Sequence, residues 1–161
     1  MANRGVHFAL TNSQTQAVLT AKNDVELMSA IEIIEEEWDD EYLAESDKAW
    51  DAIHRCLTDG SLLYENGEYP LNHCICGGQQ LYSGEDYTIC YASAAQVKDV
   101  AVALNQITES WMREQYFSIP LHEYGELSED DFQYTWEWFQ AVRQLYRKAS
   151  VKDRVVIFTV D

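Results

Sequence analysis

The sequence predicts a single α+β domain over residues 1–161, a mixed β-sheet packed by several helices. Three observations carry this expectation. At 161 residues the chain is long enough to bury roughly two-thirds of the surface exposed when unfolded, which suits one sizeable core. Apolar residues make up 47% and aromatics 12%, with only two prolines and seven glycines, so disordered, collagen-like and low-complexity classes are excluded. Strand-like runs stand near both ends, and helix-period stripes dominate between them. No internal repeat and no linker rich in proline, glycine or serine supports a second domain.

The elements follow in order. Val6, Phe8 and Leu10 alternate with His7 and Ala9 ahead of Thr11-Asn12-Ser13, a short strand feeding a helix cap. From Asp24, the apolar positions Leu27, Ile31, Ile34 and Trp38 share one helical face, with glutamates opposite. A further helix is expected from Ser46 or Asp47, with Trp50, Ile53, His54 and Leu57 on one stripe, ending at Asp59-Gly60. Residues 61–86 hold four glycines and no clear period, which reads as a long irregular segment with at most a short strand at Cys74–Cys76. Tyr87–Tyr91 reads as a strand, and Ser93 with Gln96 forms a capping-box pattern opening a helix through Val97, Val100, Leu104 and Ile107. A shorter helical stretch spans Trp111–Tyr116 before the break at Ile119-Pro120. Ser128 with Asp131 opens the longest helix, faced by Phe132, Trp136, Phe139, Val142 and Tyr146, and Arg143, Arg147 and Lys148 suit the negative end of its dipole. Val155–Val160 closes the chain as a core strand.

Charge is the outlying property. There are 28 acidic residues against 11 basic ones, a formal net charge of -17. A nucleic-acid backbone or an anionic membrane surface is disfavoured as partner, whereas a cationic protein would be steered toward such a field. The first ten residues lack the apolar run and cleavage site of a secretory signal, and no window nears the roughly 18 apolar residues of a membrane span, so a cytoplasmic location is expected. Four cysteines, Cys56, Cys74, Cys76 and Cys90, are irregularly spaced and read as free thiols.

The candidate chemical features each have a plain rival. Asp24–Asp47 holds eleven acidic residues and no basic one. Glu35, Glu36, Glu37, Trp38, Asp39, Asp40, Glu41 and Tyr42 form the candidate partner-binding stretch, offering charge for steering and two aromatics as anchors. The rival is a solvated helix face that confers solubility. No metal is expected there, because the ligand pattern and central glycine of a calcium loop are missing. Cys74 and Cys76 with His54 and Cys56 lack the C-x-x-C spacing of structural zinc, and a thiol nucleophile paired with His54, His73 or His122 would need a proximity that spacing does not imply. Buried thiols and a semi-buried His54 are the competing readings. Gly77-Gly78 lacks the surroundings of a nucleotide loop. No cofactor and no catalytic residue is singled out, and Trp50, Trp111, Phe132, Trp136 and Phe139 are expected in the core.

Read together, HFALT near the start, the Asp47-Lys48-Ala49-Trp50-Asp51-Ala52-Ile53-His54 helix ending in Leu57-Thr58-Asp59-Gly60, Pro70-Leu71, Arg113–Ile119 and the final helix-to-strand order resemble the YfbM-like family over nearly the whole chain. The resemblance implies a bacterial domain of unknown function with an α+β fold and no agreed catalytic residues, some of whose members are thought to be immunity proteins of secreted toxins.

With the acidity, it leads to the expectation of an immunity protein that occludes a cognate toxin domain bearing a basic surface, such as an ADP-ribosyltransferase or nuclease. The alternative is a small-molecule-binding protein or enzyme with a pocket near His54 and the Cys74–Cys76 loop.

Overall fold

Strand β1 (Gly5–Leu10) and strand β5 (Val155–Val160) pair antiparallel at the centre of one five-stranded sheet, Val6 opposite Thr159 and Leu10 opposite Val155. The computed structural model describes residues 3–161. Strand β2 (Leu43–Asp47) flanks β1, strand β4 (Thr88–Ala92) flanks β5, and the two-residue β3 (Gln79–Gln80) forms the far edge, giving the order β2-β1-β5-β4-β3. Among the described residues every pairing is antiparallel, where a mixed sheet was expected within the same α+β class. One helix between neighbouring strands would carry the chain across and make them parallel. Here two helices, α1 (Asn12–Leu19) and α2 (Asp24–Glu37), lie between β1 and β2. Four, α4 (Ala94–Asn105), α5 (Glu109–Tyr116), α6 (Leu121–Tyr124) and α7 (Glu129–Val151), lie between β4 and β5. Each connection therefore returns the chain to the end of the sheet it left.

Both faces of the sheet are covered, which explains why all six residues of β5 are buried. On one face Phe8, Leu10, Ile89, Val155 and Ile157 pack with Val18 of α1 and Leu27, Ala30, Ile31 and Ile34 of α2. On the other, Ala9, Ala92, Val156, Phe158 and Val160 meet α4, α5, α7 and the helix α3 (Trp50–Leu57), whose contributions include Ile53, Val100, Met112, Phe139 and Tyr146. Phe132 and Phe139 are buried as expected, while Trp50, Trp111 and Trp136 are half-buried at its margin.

The helix starts follow their caps. Thr11 and Ser93 each form a capping box, with Gln14 and Gln96 respectively, and Asn23, Thr108 and Ser128 accept from the third residue of their helices. Arg143 does not cap its own helix: besides donating to Gln140 Oε1 within α7, its guanidinium donates to Leu104 O and Ile107 O, closing the end of α4.

Two segments depart from the sequence expectation. Residues 43–47 are strand, and α3 begins at Trp50 rather than at Ser46 or Asp47. Ser46 is buried and its hydroxyl donates to Gly5 O, while Asp47 turns into the left-handed region (φ 47) before the helix. Gly5 permits this closeness, since a Cβ there would stand 2.7 Å from both Phe158 Cε1 and Ser46 Oγ. Cys74–Cys76 is turn rather than strand, following a 3-10 turn at Leu71–His73 and held by Gly77 N donating to Asn72 O at 2.8 Å.

Candidate interaction surface and adjacent cavity

The acidic stretch forms one exposed ridge running from the last turn of α2 through a 3-10 turn at Asp40–Tyr42. Glu35, Glu36, Glu37, Trp38, Asp39, Asp40 and Glu41 are all exposed, and Tyr42 is half-buried. Local bonds fix its shape. Tyr87 Oη donates to Glu35 and Gln14 Nε2 to Glu37, and Asp39 Oδ1 accepts from Glu41 N. Partial burial pushes the Glu35 carboxyl up from the ordinary range. Tyr42 lies under the Arg154 guanidinium, whose Cζ is 3.5 Å from the ring centre, and Lys148 Nζ donates to Glu41 O.

Trp38 ends α2 in the left-handed region (φ 40, ψ 61), a costly place for a bulky side chain. Its ring stands edge-on to Phe8 and is 38% exposed. Helical spacing also shows what the sequence reading missed. Val25 and Ile33, eight residues apart and so on one side of α2, are 77% and 55% exposed. Val25 stands in the first turn of α2, away from the ridge, so the ridge itself is an acidic surface with Ile33 beside it and Trp38 set into it.

The Asp47–His54 motif is occupied with internal bonds. Asp47 accepts from Tyr134 Oη of α7 at 2.5 Å and pairs with Arg4 at 3.3 Å. Trp50 Nε1–H donates to Asn3 O at 2.9 Å, and Asp51 accepts from Arg55 Nε at 2.6 Å. His54 is buried, and its Nε2–H is shared between Leu63 O (2.8 Å) and Asn66 Oδ1 (2.9 Å), leaving Nδ1 without a partner. Burial lowers the His54 pKa. Asn66 in turn donates to Thr58 Oγ1, Asp59 Oδ1 and Ser61 O, so one amide ties down the whole loop after α3.

The cysteines are all buried and free. Burial pushes the Cys56 thiol up to about 12 and Cys74 higher, and a hydrogen bond with Cys90 followed by burial does the same for Cys76. His73 is half-buried, with Nδ1 bonded to Asn72 Oδ1 at 2.8 Å, while His122 is exposed on α6. These are environments of packing rather than of activated nucleophiles. Among the described residues no group of three or more His, Cys, Asp or Glu side chains could hold a metal ion.

A pocket lies at the edge of the Cys74–Cys76 turn, lined by Cys76 but not by His54 or Cys74. It measures about 130 Å³ between Trp50 of α3, Leu62 and Leu63 of the loop, Cys76 and Val160 of β5, and it opens to solvent past Leu63 and Tyr64, both more than half exposed. Tyr64 and Thr88 complete its lining, their hydroxyls 3.2 Å apart. His54 reaches this region only through its bond to the Leu63 carbonyl.

The fold and these surfaces define an acidic α+β domain in which the cysteines and His54 are spent on internal packing, His73 is half-buried and His122 is exposed. The chain belongs to the DUF1877 family, a domain of unknown function, whose model matches residues 1–159. A solved structure of a protein of unknown function from Escherichia coli, YfbM, is similar over 100% of both chains with a TM-score of 0.67 and 14% sequence identity, a likeness of fold. No curated protein matches the chain. Among the described residues no helix is long and apolar enough to cross a membrane.

Proposed function

We propose that this chain is a cytoplasmic immunity protein that binds a cognate toxin domain with a basic surface and occludes its active site. The observation that carries the reading is the composition of the ridge: Ile33 and Trp38 are exposed beside Glu36, Glu37, Asp39, Asp40 and Glu41. Protein interfaces combine aromatic or aliphatic anchors with a charged rim that steers association. A net charge of -17 adds long-range attraction toward a cationic cleft, such as a nuclease or an ADP-ribosyltransferase uses for its anionic substrate.

The test begins with capture of host proteins at low and then moderate salt. A basic partner that is lethal when expressed alone and harmless with this chain supports the reading. The charges at Glu35–Glu37 and Asp39–Glu41 are then reversed together; unchanged affinity and unchanged neutralisation would overturn the ridge as the contact surface. Steering also requires an association rate that falls as salt rises.

A further inference from the structure

We propose that the cavity beneath Leu62–Tyr64 is a binding site for a small, uncharged, single-ring ligand carrying one hydroxyl, a molecule of the phenol class. This site is independent of the acidic ridge. Its volume, about 130 Å³, is close to the roughly 150 Å³ that accepts benzene in a closed apolar cavity, here with one side open past Leu63 and Tyr64, both more than half exposed. It falls well below the roughly 300 Å³ at which pockets for drug-sized ligands and cofactors begin.

None of the residues lining it is charged, so an ionised ligand would be desolvated there without a counter-charge. The walls offer the Trp50 indole and aliphatic side chains, which suit a ring. The polar groups sit together: the hydroxyls of Tyr64 and Thr88 bond to each other at 3.2 Å, and each can both donate and accept. A ligand hydroxyl can join that pair and complete it.

The walls are also held in advance of binding. Trp50 is fixed by its bond to Asn3 O and packs against Phe158 with ring centres 5.8 Å apart. Leu63 is held through its carbonyl by His54, and Asn66 anchors the rest of the strap. Preformed walls spare the ligand the ordering cost that weakens small-molecule binding.

The experiment titrates phenol, and separately toluene, into the full chain with methyl-labelled leucine and valine. Saturable shifts are expected at the methyl groups of Leu62, Leu63 and Val160, with Leu10 and Leu145, buried elsewhere, unmoved. Phenol at roughly ten times its Kd should raise the melting temperature by about 4 °C. It should bind roughly fivefold tighter than toluene, a preference that Thr88→Val removes. Leu62→Phe fills the space and should abolish binding in a folded chain; Val160→Leu is the second filler should the first not fold. Absent or non-saturable shifts up to the solubility limit overturn the site, as does wild-type binding by a folded filler variant. Equal affinity for phenol and toluene overturns the assigned ligand class.

Discussion

His7 on β1 and Tyr146 on α7 donate to one acceptor: His7 Nε2–H and Tyr146 Oη each lie 2.7 Å from the carbonyl oxygen of Cys74. The shared carbonyl ties the central strand and the longest helix to the irregular segment between them, and the two rings meet edge to face, 5.7 Å between centres. His7 is buried with Nδ1 unpartnered, so it is held neutral, and burial lowers its pKa from 6.5 to about 4.

That shift makes acid sensitivity the first prediction. Below pH 6.5 the unfolded chain takes up a proton at this side chain that the native chain refuses until about pH 4, so stability falls as pH falls through that window. The loss from His7 amounts to about 3 kcal/mol, and His54, whose pKa is also lowered, adds in the same direction. Urea unfolding at pH 7 and pH 4 measures it. His7→Gln keeps a donor without the titration, and its stability should fall about 3 kcal/mol less over the same interval.

Removing the Tyr146 hydroxyl leaves the Cys74 carbonyl with His7 still donating. Tyr146→Phe should therefore cost about 1 kcal/mol, whereas adding His7→Leu orphans a buried carbonyl and should exceed the sum of the single effects by a further kcal/mol or so. Additive effects in the double-mutant cycle would show that the two donors act separately.

Asn66 should prove disproportionately important for a loop residue, because its one amide satisfies His54, Thr58, Asp59 and Ser61. Asn66→Ala is expected to destabilise by about 2 kcal/mol, with hydrogen-exchange protection lost at 58–66 and retained in α7. Uniform loss of protection would mean that the loop does not open separately.

All four thiols should resist modification in the native state and react together on denaturation, given that each is buried. A thiol-reactive dye counts them directly. One fast cysteine in the folded chain would contradict the environments described for Cys56, Cys74 and Cys76.

Trp38 offers a test of stored backbone strain. Trp38→Ala and Trp38→Gly lose the same ring contact with Phe8, but only glycine is at ease at φ 40. The glycine variant should be the more stable of the two by about 1 kcal/mol, and both should weaken capture of a basic partner if the ring is an anchor.

Much of the architecture was legible from patterns of one residue class. The stripe Leu27, Ile31 and Ile34, the helix cap at Thr11, the capping box at Ser93 and the largely apolar β5 each state a local preference that the tertiary fold keeps. Strand β2 was not legible, because Leu43-Ala44-Glu45-Ser46-Asp47 holds no β-branched residue and is a strand by virtue of its pairing with β1. The acidic ridge could be read as a run, while the exposure of Val25 and Ile33 depends on which side of α2 meets the sheet. The cavity left no sequence signal, since its lining comes from residue 50, the 62–64 loop and residues 76, 88 and 160. Trp38 matched the helical period but lies just past its end, where the backbone reverses hand.

The pairing of β1 with β5 also dictates when this protein can fold. Thr159 Oγ1 donates to Val6 O across 153 positions of sequence, so the middle of the sheet joins two strands that lie far apart along the chain. Until Val155–Val160 leaves the ribosome, β1 lacks one of its two neighbours and neither hydrophobic layer can close over the sheet. Assembly of the sheet therefore waits on Val155–Val160 and is dominated by distant contacts, which slows it. For that interval the apolar faces of α2 and α7 are the nascent chain's exposure to chaperones and to aggregation.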